Sequence, residues 1–128
     1  MPEIIESREN YLEIIYLLNK KGAVRSIDIV EMSGYSKPSV SNAVHSLETQ
    51  GYLVIDENRH IQLTGEGKKI AVEVYKRHKC ITGFFMKTLD IDEKTAEENA
   101  CKIEHCITPE FYDAIKKFFK DRAEERRN

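Results

Sequence analysis

The sequence predicts a mainly α protein whose N-terminal half is a winged helix-turn-helix and whose second half is helical throughout. Three observations carry that reading. Apolar residues recur at helical spacing over most of the chain. Two short helical patterns flank a turn at Gly34. Directly after the second, the apolar period shortens to that of a strand, over Tyr52 to Leu63.

The elements follow in order. Ser7 to Lys20 repeats Tyr11, Leu12, Ile15, Tyr16 and Leu18 at helical spacing, and Lys20-Lys21-Gly22 ends the run. Ser26 opens a short helix through Ile27, Ile29, Val30 and Met32, closed by Gly34. Ser36 then caps the next helix, with Pro38 in its first turn, where a missing amide has no helical partner to lose. To about Gln50, Val40, Ala43, Val44 and Leu47 form an inward stripe. That leaves Lys37, Ser39, Ser41, Asn42 and His45 outside, the candidate DNA-reading face of a helix-turn-helix. Tyr52-Leu53-Val54-Ile55 and Ile61-Gln62-Leu63 make a hairpin, the wing, with Arg59 and His60 near its tip placed to touch phosphate or the minor groove.

Thr64 begins a long helix to about Lys87, apolar along Ile70, Val74, Ile81 and Phe85. Asp90-Ile91-Asp92-Glu93 resembles a capping box and starts a helix expected to carry Cys101, Glu104 and His105. Thr108-Pro109 caps a last helix striped by Phe111, Ile115, Phe118 and Phe119, and its charged end from Asp121 to Asn128 is expected to fray. These three apolar faces exceed what one subunit buries, so a homodimer through the second half is expected.

Composition narrows the class. The chain has 128 residues, 41% apolar and 33% charged, ordinary for a small soluble protein. No apolar run approaches a membrane span, and Met1-Pro2-Glu3-Ile4 lacks the basic start of a signal peptide, so a cytoplasmic protein with no membrane partner is expected. Three cysteines, Cys80, Cys101 and Cys106, in a reducing compartment argue against structural disulfides. The net charge of −2 decides nothing about DNA, but its distribution is informative. Lys68, Lys69, Lys76, Arg77 and Lys79 are basic, and Asp90 to Glu98 is acidic, as suits DNA at one end and cations at the other.

Cys101, Glu104 and His105 fall three and four residues apart, which on one helix aligns three metal-ligand types, with His78 on the preceding helix. Imidazole, carboxylate and thiolate together suit late first-row divalent ions, Fe²⁺ ahead of Mn²⁺, better than Mg²⁺ or Ca²⁺. The expected division is a winged helix-turn-helix over 1–65, a helical metal-binding and dimerisation domain over 66–122, and a charged tail over 123–128.

Particular stretches also match a known family: Glu9-Asn10-Tyr11-Leu12-Glu13-Ile14-Ile15-Tyr16, Ser39-Val40-Ser41, Leu63-Thr64-Gly65-Glu66-Gly67, Arg77-His78 and Cys101-Lys102-Ile103-Glu104-His105. Over nearly its whole length the chain resembles the diphtheria-toxin-repressor and manganese-transport-regulator family of metal-dependent repressors. The resemblance implies that Glu13, His78, Cys101, Glu104 and His105 occupy metal-ligand positions. Asn10 falls at a further one, where manganese-type members have aspartate and iron-type members methionine. At the position of Cys101 those types have glutamate and cysteine. Thr82 and Glu97 fall where iron-type members place an ancillary glutamate and histidine, and only Glu97 has a ligand's chemistry. The length is that of the short manganese-type members. The implied activity is repression of transcription: metal ties the first helix to the second half and orients both recognition helices of a dimer for successive major grooves of an operator, about 34 Å apart.

Two rival functions are weaker. A winged-helix thiol sensor would use Cys101 or Cys106, but no basic cradle accompanies either. An enzyme with Cys101 as nucleophile and His105 as base lacks an evident oxyanion hole, so no catalysis is expected.

Overall fold

Helices α1 (Pro2–Asn19), α2 (Ser26–Ser33) and α3 (Lys37–Thr49) precede a hairpin of β1 (Leu53–Ile55) and β2 (Ile61–Leu63), and α4 (Gly65–Leu89), α5 (Glu93–Ile103) and α6 (Pro109–Arg127) complete the chain. This computed structural model describes residues 2–127, with side chains described from residue 8 to residue 123. The chain forms two compact units, Met1–Glu73 and Val74–Asn128, divided within α4. Among the described residues, no helix is long and apolar enough to cross a membrane.

The first unit is a winged helix-turn-helix around an aliphatic core. Leu12 and Ile15 on α1, Ile29 on α2 and Val40 on α3 are fully buried together, joined by Leu53 and Ile61 from the hairpin. Helix α2 starts at Ser26, as expected, with Arg25 at its N-cap, where the Arg25 N–H donates to the Asp28 carboxylate at 2.8 Å. It stops at Gly34, which is left-handed (φ 77°) and donates its N–H to Val30 O. Ser36 caps α3 as expected, accepting from Ser39 N at 3.2 Å, with Pro38 in the first turn. The strands pair antiparallel with Leu53 opposite Leu63 and Ile55 opposite Ile61, and Ile61 N–H also reaches Val24 O. Thr64 joins wing to helix: its N–H donates to Tyr52 O and its hydroxyl to Gly51 O. A Cβ on Gly67 would lie 2.0 Å from that same Tyr52 oxygen, so only glycine fits where α4 begins.

The second unit is smaller in its apolar heart. Ile81, Ala100 and Ile115 are its fully enclosed cluster, with Phe84, Phe85 and Phe119 half-buried against it. Phe84 meets Phe118 edge to face at 5.1 Å. Phe111 departs from the expected stripe and is 49% exposed. It lies only two residues past Pro109, and four-residue spacing from Ile115 does not by itself set which side of α6 is covered. Helix α4 ends at Leu89 with Asp90 left-handed, and Asp92 caps α5 by accepting from Thr95 N at 2.8 Å. Thr108 caps α6 through Phe111 N. The charged end expected to fray is helical as far as it is described: α6 runs to Arg127, through Lys, Arg, Ala and Glu, which are good helix formers, and Asn128 lies outside the described residues.

Candidate metal centre and nucleic-acid interface

Helix α5 shows why a carboxylate is buried in the second unit. Ala96, Ala100 and Glu104 recur every four residues, and all three are 0% exposed. Small residues let the helix pack closely, so the side chain that continues their stripe is carried inside as well. The helix stops at Ile103, and Glu104 stands at its C-cap. Arg77 of α4 holds this end, donating from a guanidinium nitrogen to Glu104 O at 2.7 Å while its guanidinium lies 5.9 Å from the Tyr112 ring centroid.

Around that carboxylate two imidazoles converge. His78 Nδ1 is 2.7 Å from Glu104 Oε2, and His105 Nε2 is 3.3 Å from Glu104 Oε1. The His78 and His105 side chains are 18% and 8% exposed. Glu104 Oε1 is fully buried and accepts no hydrogen bond from any described residue. A buried carboxylate oxygen left in that state is costly, and a cation removes the cost. Each oxygen of this carboxylate has an imidazole nitrogen within 3.3 Å, and imidazole nitrogen and carboxylate oxygen are donor types of a first-row divalent site. On both counts the residues present fit a metal ion.

The expected trio on one helical face is corrected in its geometry. Because α5 ends at Ile103, Glu104 and His105 belong to the turn after it, and Cys101 remains on the helix, exposed. Arg77, 27 residues away in sequence, takes the carbonyl of the C-cap residue. Of the ancillary positions, Thr82 spends its hydroxyl on the His78 carbonyl at 2.8 Å, and Glu97 is exposed. Burial pushes the Cys80 thiol above its ordinary value, against a smaller opposing influence from Lys116. In the first unit, Glu13 is a buried carboxylate, 6% exposed, on α1 between fully buried Leu12 and Ile15. Asn10, one turn earlier, donates from its amide nitrogen to the Tyr35 hydroxyl.

The expected reading face is solvent-facing. Lys37, Ser39, Ser41, Asn42 and His45 are all exposed on α3, opposite buried Val40, Val44 and Leu47. The Ser36 hydroxyl donates to Ser39 Oγ at 2.9 Å, which fixes that side chain at the start of the helix. Arg59 is exposed at the wing tip with φ 64°. Asp56 builds the tip: its carboxylate accepts from His60 N at 2.9 Å and Asn58 N at 2.8 Å. The His60 N–H is the main reason its carboxyl sits below the ordinary 3.8.

With this geometry in view, two family models match the chain. Residues 3–61 match "Iron dependent repressor, N-terminal DNA binding domain", and residues 64–126 match "Iron dependent repressor, metal binding and dimerisation domain". An uncharacterised HTH-type transcriptional regulator of Methanocaldococcus jannaschii is 34% identical over 123 residues, 92% of this chain and 98% of that one. The diphtheria toxin repressor of Corynebacterium diphtheriae is 28% identical over 125 residues, 94% of this chain and 54% of that one. Among solved structures, the manganese regulator SloR superposes with a TM-score of 0.77 at 29% identity, over 88% of this chain and 53% of its own. This chain therefore spans about half the length of the last two.

Proposed function

The chain belongs to the iron-dependent repressor family of metal-dependent transcriptional regulators, and we propose that it is a homodimeric repressor with a divalent transition-metal ion, Fe²⁺ ahead of Mn²⁺, as corepressor. One observation carries the reading: the Glu104 carboxylate, fully buried, touches two imidazoles and keeps one oxygen without a hydrogen bond. When bound, a dication supplies the positive charge that lets carboxylates and imidazole lone pairs converge without repulsion. His78, Glu104 and His105 form the heart of the proposed ligand set, and Glu13 and Cys101 join it on the strength of the resemblance alone, whereas Asn10, at a further position the resemblance implies, gives its amide to Tyr35 and is left outside the set. Cys101 favours Fe²⁺, since a thiolate ligand disfavours Mn²⁺.

The chain's own groups define the switch. The 2.7 Å contact between His78 Nδ1 and Glu104 Oε2 would have to give way for both atoms to act as ligands. On the ligand set the resemblance implies, metal binding biases which conformational arrangement of the chain is populated. A 100-fold preference of the ion for one arrangement shifts the balance by about 2.7 kcal/mol, enough only if the metal-free states are nearly balanced. In the DNA-competent state Lys37, Ser39, Ser41 and Arg59 contact phosphates, and Asn42 and His45 reach base edges. The partners are thus an operator duplex and a second copy of the chain, in the cytoplasm.

The test is an anaerobic titration of chelator-stripped protein with Fe²⁺, Mn²⁺, Co²⁺ and Zn²⁺, following binding to the DNA upstream of its own coding sequence at fixed salt. Stimulation is expected, strongest with Fe²⁺. Equal DNA binding with and without every ion would sink the proposal.

A further inference from the structure

Asn10 and Tyr35 make a contact that neither the metal centre nor the expected reading face employs. Tyr35 lies between Gly34, which closes α2, and Ser36, which caps α3, so it is the turn of the helix-turn-helix itself. Its backbone N–H donates to Ser33 Oγ at 3.0 Å, and the Ser33 hydroxyl donates to Ile29 O at 2.7 Å, which ties the turn to α2. Its ring packs on Tyr11 of α1 at 5.5 Å between centroids, with 55° between the planes. Its hydroxyl oxygen accepts the Asn10 amide proton. A large side chain that is 40% exposed is thus held at both its ring and its oxygen.

The chemistry of the hydroxyl then limits what it can do. With an oxygen lone pair taken by Asn10 Nδ2, the phenol's own hydrogen has no acceptor among the described residues. A fixed donor beside the exposed Lys37 and Ser39 matches a group that only accepts, and a phosphodiester is such a group. We propose that Tyr35 donates a hydrogen bond to the DNA backbone and that Asn10 is its positioning residue, committed to the reader rather than to the metal. The inference rests on the DNA-binding reading above, and it gives the departure at Asn10 a role. An amide can donate to the phenol oxygen and leave the phenol proton pointing outward; a carboxylate at the same place would capture that proton.

The experiment measures metal affinity and, at saturating Fe²⁺, affinity for the upstream DNA and for an unrelated duplex of equal length. The parent is compared with Tyr35→Phe, Asn10→Asp, Asn10→Ala and the Asn10→Ala/Tyr35→Phe pair. Tyr35→Phe is expected to weaken both duplexes about tenfold, the size of one hydrogen bond to a charged acceptor. The salt dependence stays unchanged because no counterion-releasing charge is removed. Asn10→Asp is expected to match that loss with metal affinity and selectivity intact. The pair is expected to be no weaker than Tyr35→Phe alone, since both changes remove the same bond. Two results overturn the proposal: Tyr35→Phe binding DNA as tightly as the parent, or Asn10→Asp changing metal selectivity while DNA affinity at saturating metal stays put. A parent that binds neither duplex with any metal overturns the DNA-binding reading and this inference together.

Discussion

The two units are built on opposite principles. In the first, the interior is aliphatic and complete: Leu12, Ile15, Ile29, Val40, Leu53 and Ile61 enclose one another, and the polar residues of α3 are left to solvent. In the second, the enclosed apolar cluster is the small one of Ile81, Ala100 and Ile115, and the most deeply buried polar side chain among the described residues is a carboxylate with an unsatisfied oxygen. Around them Met86, Leu89 and Phe111 remain exposed. The difference teaches that a fold can be self-sufficient in one half and, on the function proposed above, left to be finished by an ion and a second subunit in the other.

The largest test of that contrast is to remove aliphatic bulk from the self-sufficient half. Ile15→Ala is expected to cost about 4 kcal/mol in urea unfolding of the first unit, as a cavity among fully buried neighbours does. A loss under about 1 kcal/mol would mean that the core collapses around the gap and is less complete than described. In the sensing half, Glu104→Gln is expected to abolish metal-stimulated DNA binding, a loss of about 100-fold or 2.7 kcal/mol. The same change should not lower the melting temperature of metal-free protein, because it removes a buried charge rather than an apolar contact. If metal-free stability falls sharply, Glu104 is structural and the contrast breaks.

Metal addition sharpens the point. At free metal 100 times its dissociation constant, the second unit should gain about 2.7 kcal/mol in calorimetry, and a chelator should return it. A smaller effect belongs to the turn of the reader: Gly34→Ala places a side chain on a backbone with φ 77° and is expected to cost about 1 kcal/mol in thermal unfolding, with metal affinity unchanged. The smallest effect is acid sensitivity. Asp56 and Asp92 both have folded values below the ordinary 3.8, held down by backbone N–H donors from His60 and Thr95 respectively. Their contribution is present above the unfolded value and is lost as pH falls through the folded one. Asp56→Asn and Asp92→Asn should therefore lower stability slightly at neutrality and flatten the stability profile below about pH 4, where the parent has already lost this contribution.

The same contrast decides what the sequence disclosed. The first unit was legible because its signals are local: Gly34, Ser36 and Pro38 punctuate the turn, and the inward stripe of α3 is buried as its spacing requires. The composition of the second unit was legible too, with Glu104 and both histidines quoted before any geometry. Its geometry was not. Spacing of three and four residues implies a shared face only while the helix continues, and α5 ends where Arg77, distant in sequence, takes the Glu104 carbonyl. One overlooked local signal was the four-residue recurrence of Ala96, Ala100 and Glu104, which places the carboxylate on the buried stripe. The Asn10–Tyr35 bond, spanning 25 residues between an ordinary amide and an ordinary phenol, has no sequence signal at all.

The close approach at Gly67 has a consequence for heredity. Any codon change that adds even a methyl there drives it into the Tyr52 carbonyl, an oxygen that already anchors Thr64 and hence the joint between wing and helix. Gly67 stands among neither the proposed ligands nor the exposed reading face. In a saturation library it would nonetheless appear as an empty column, scored as essential for function by a screen that reads only transcription.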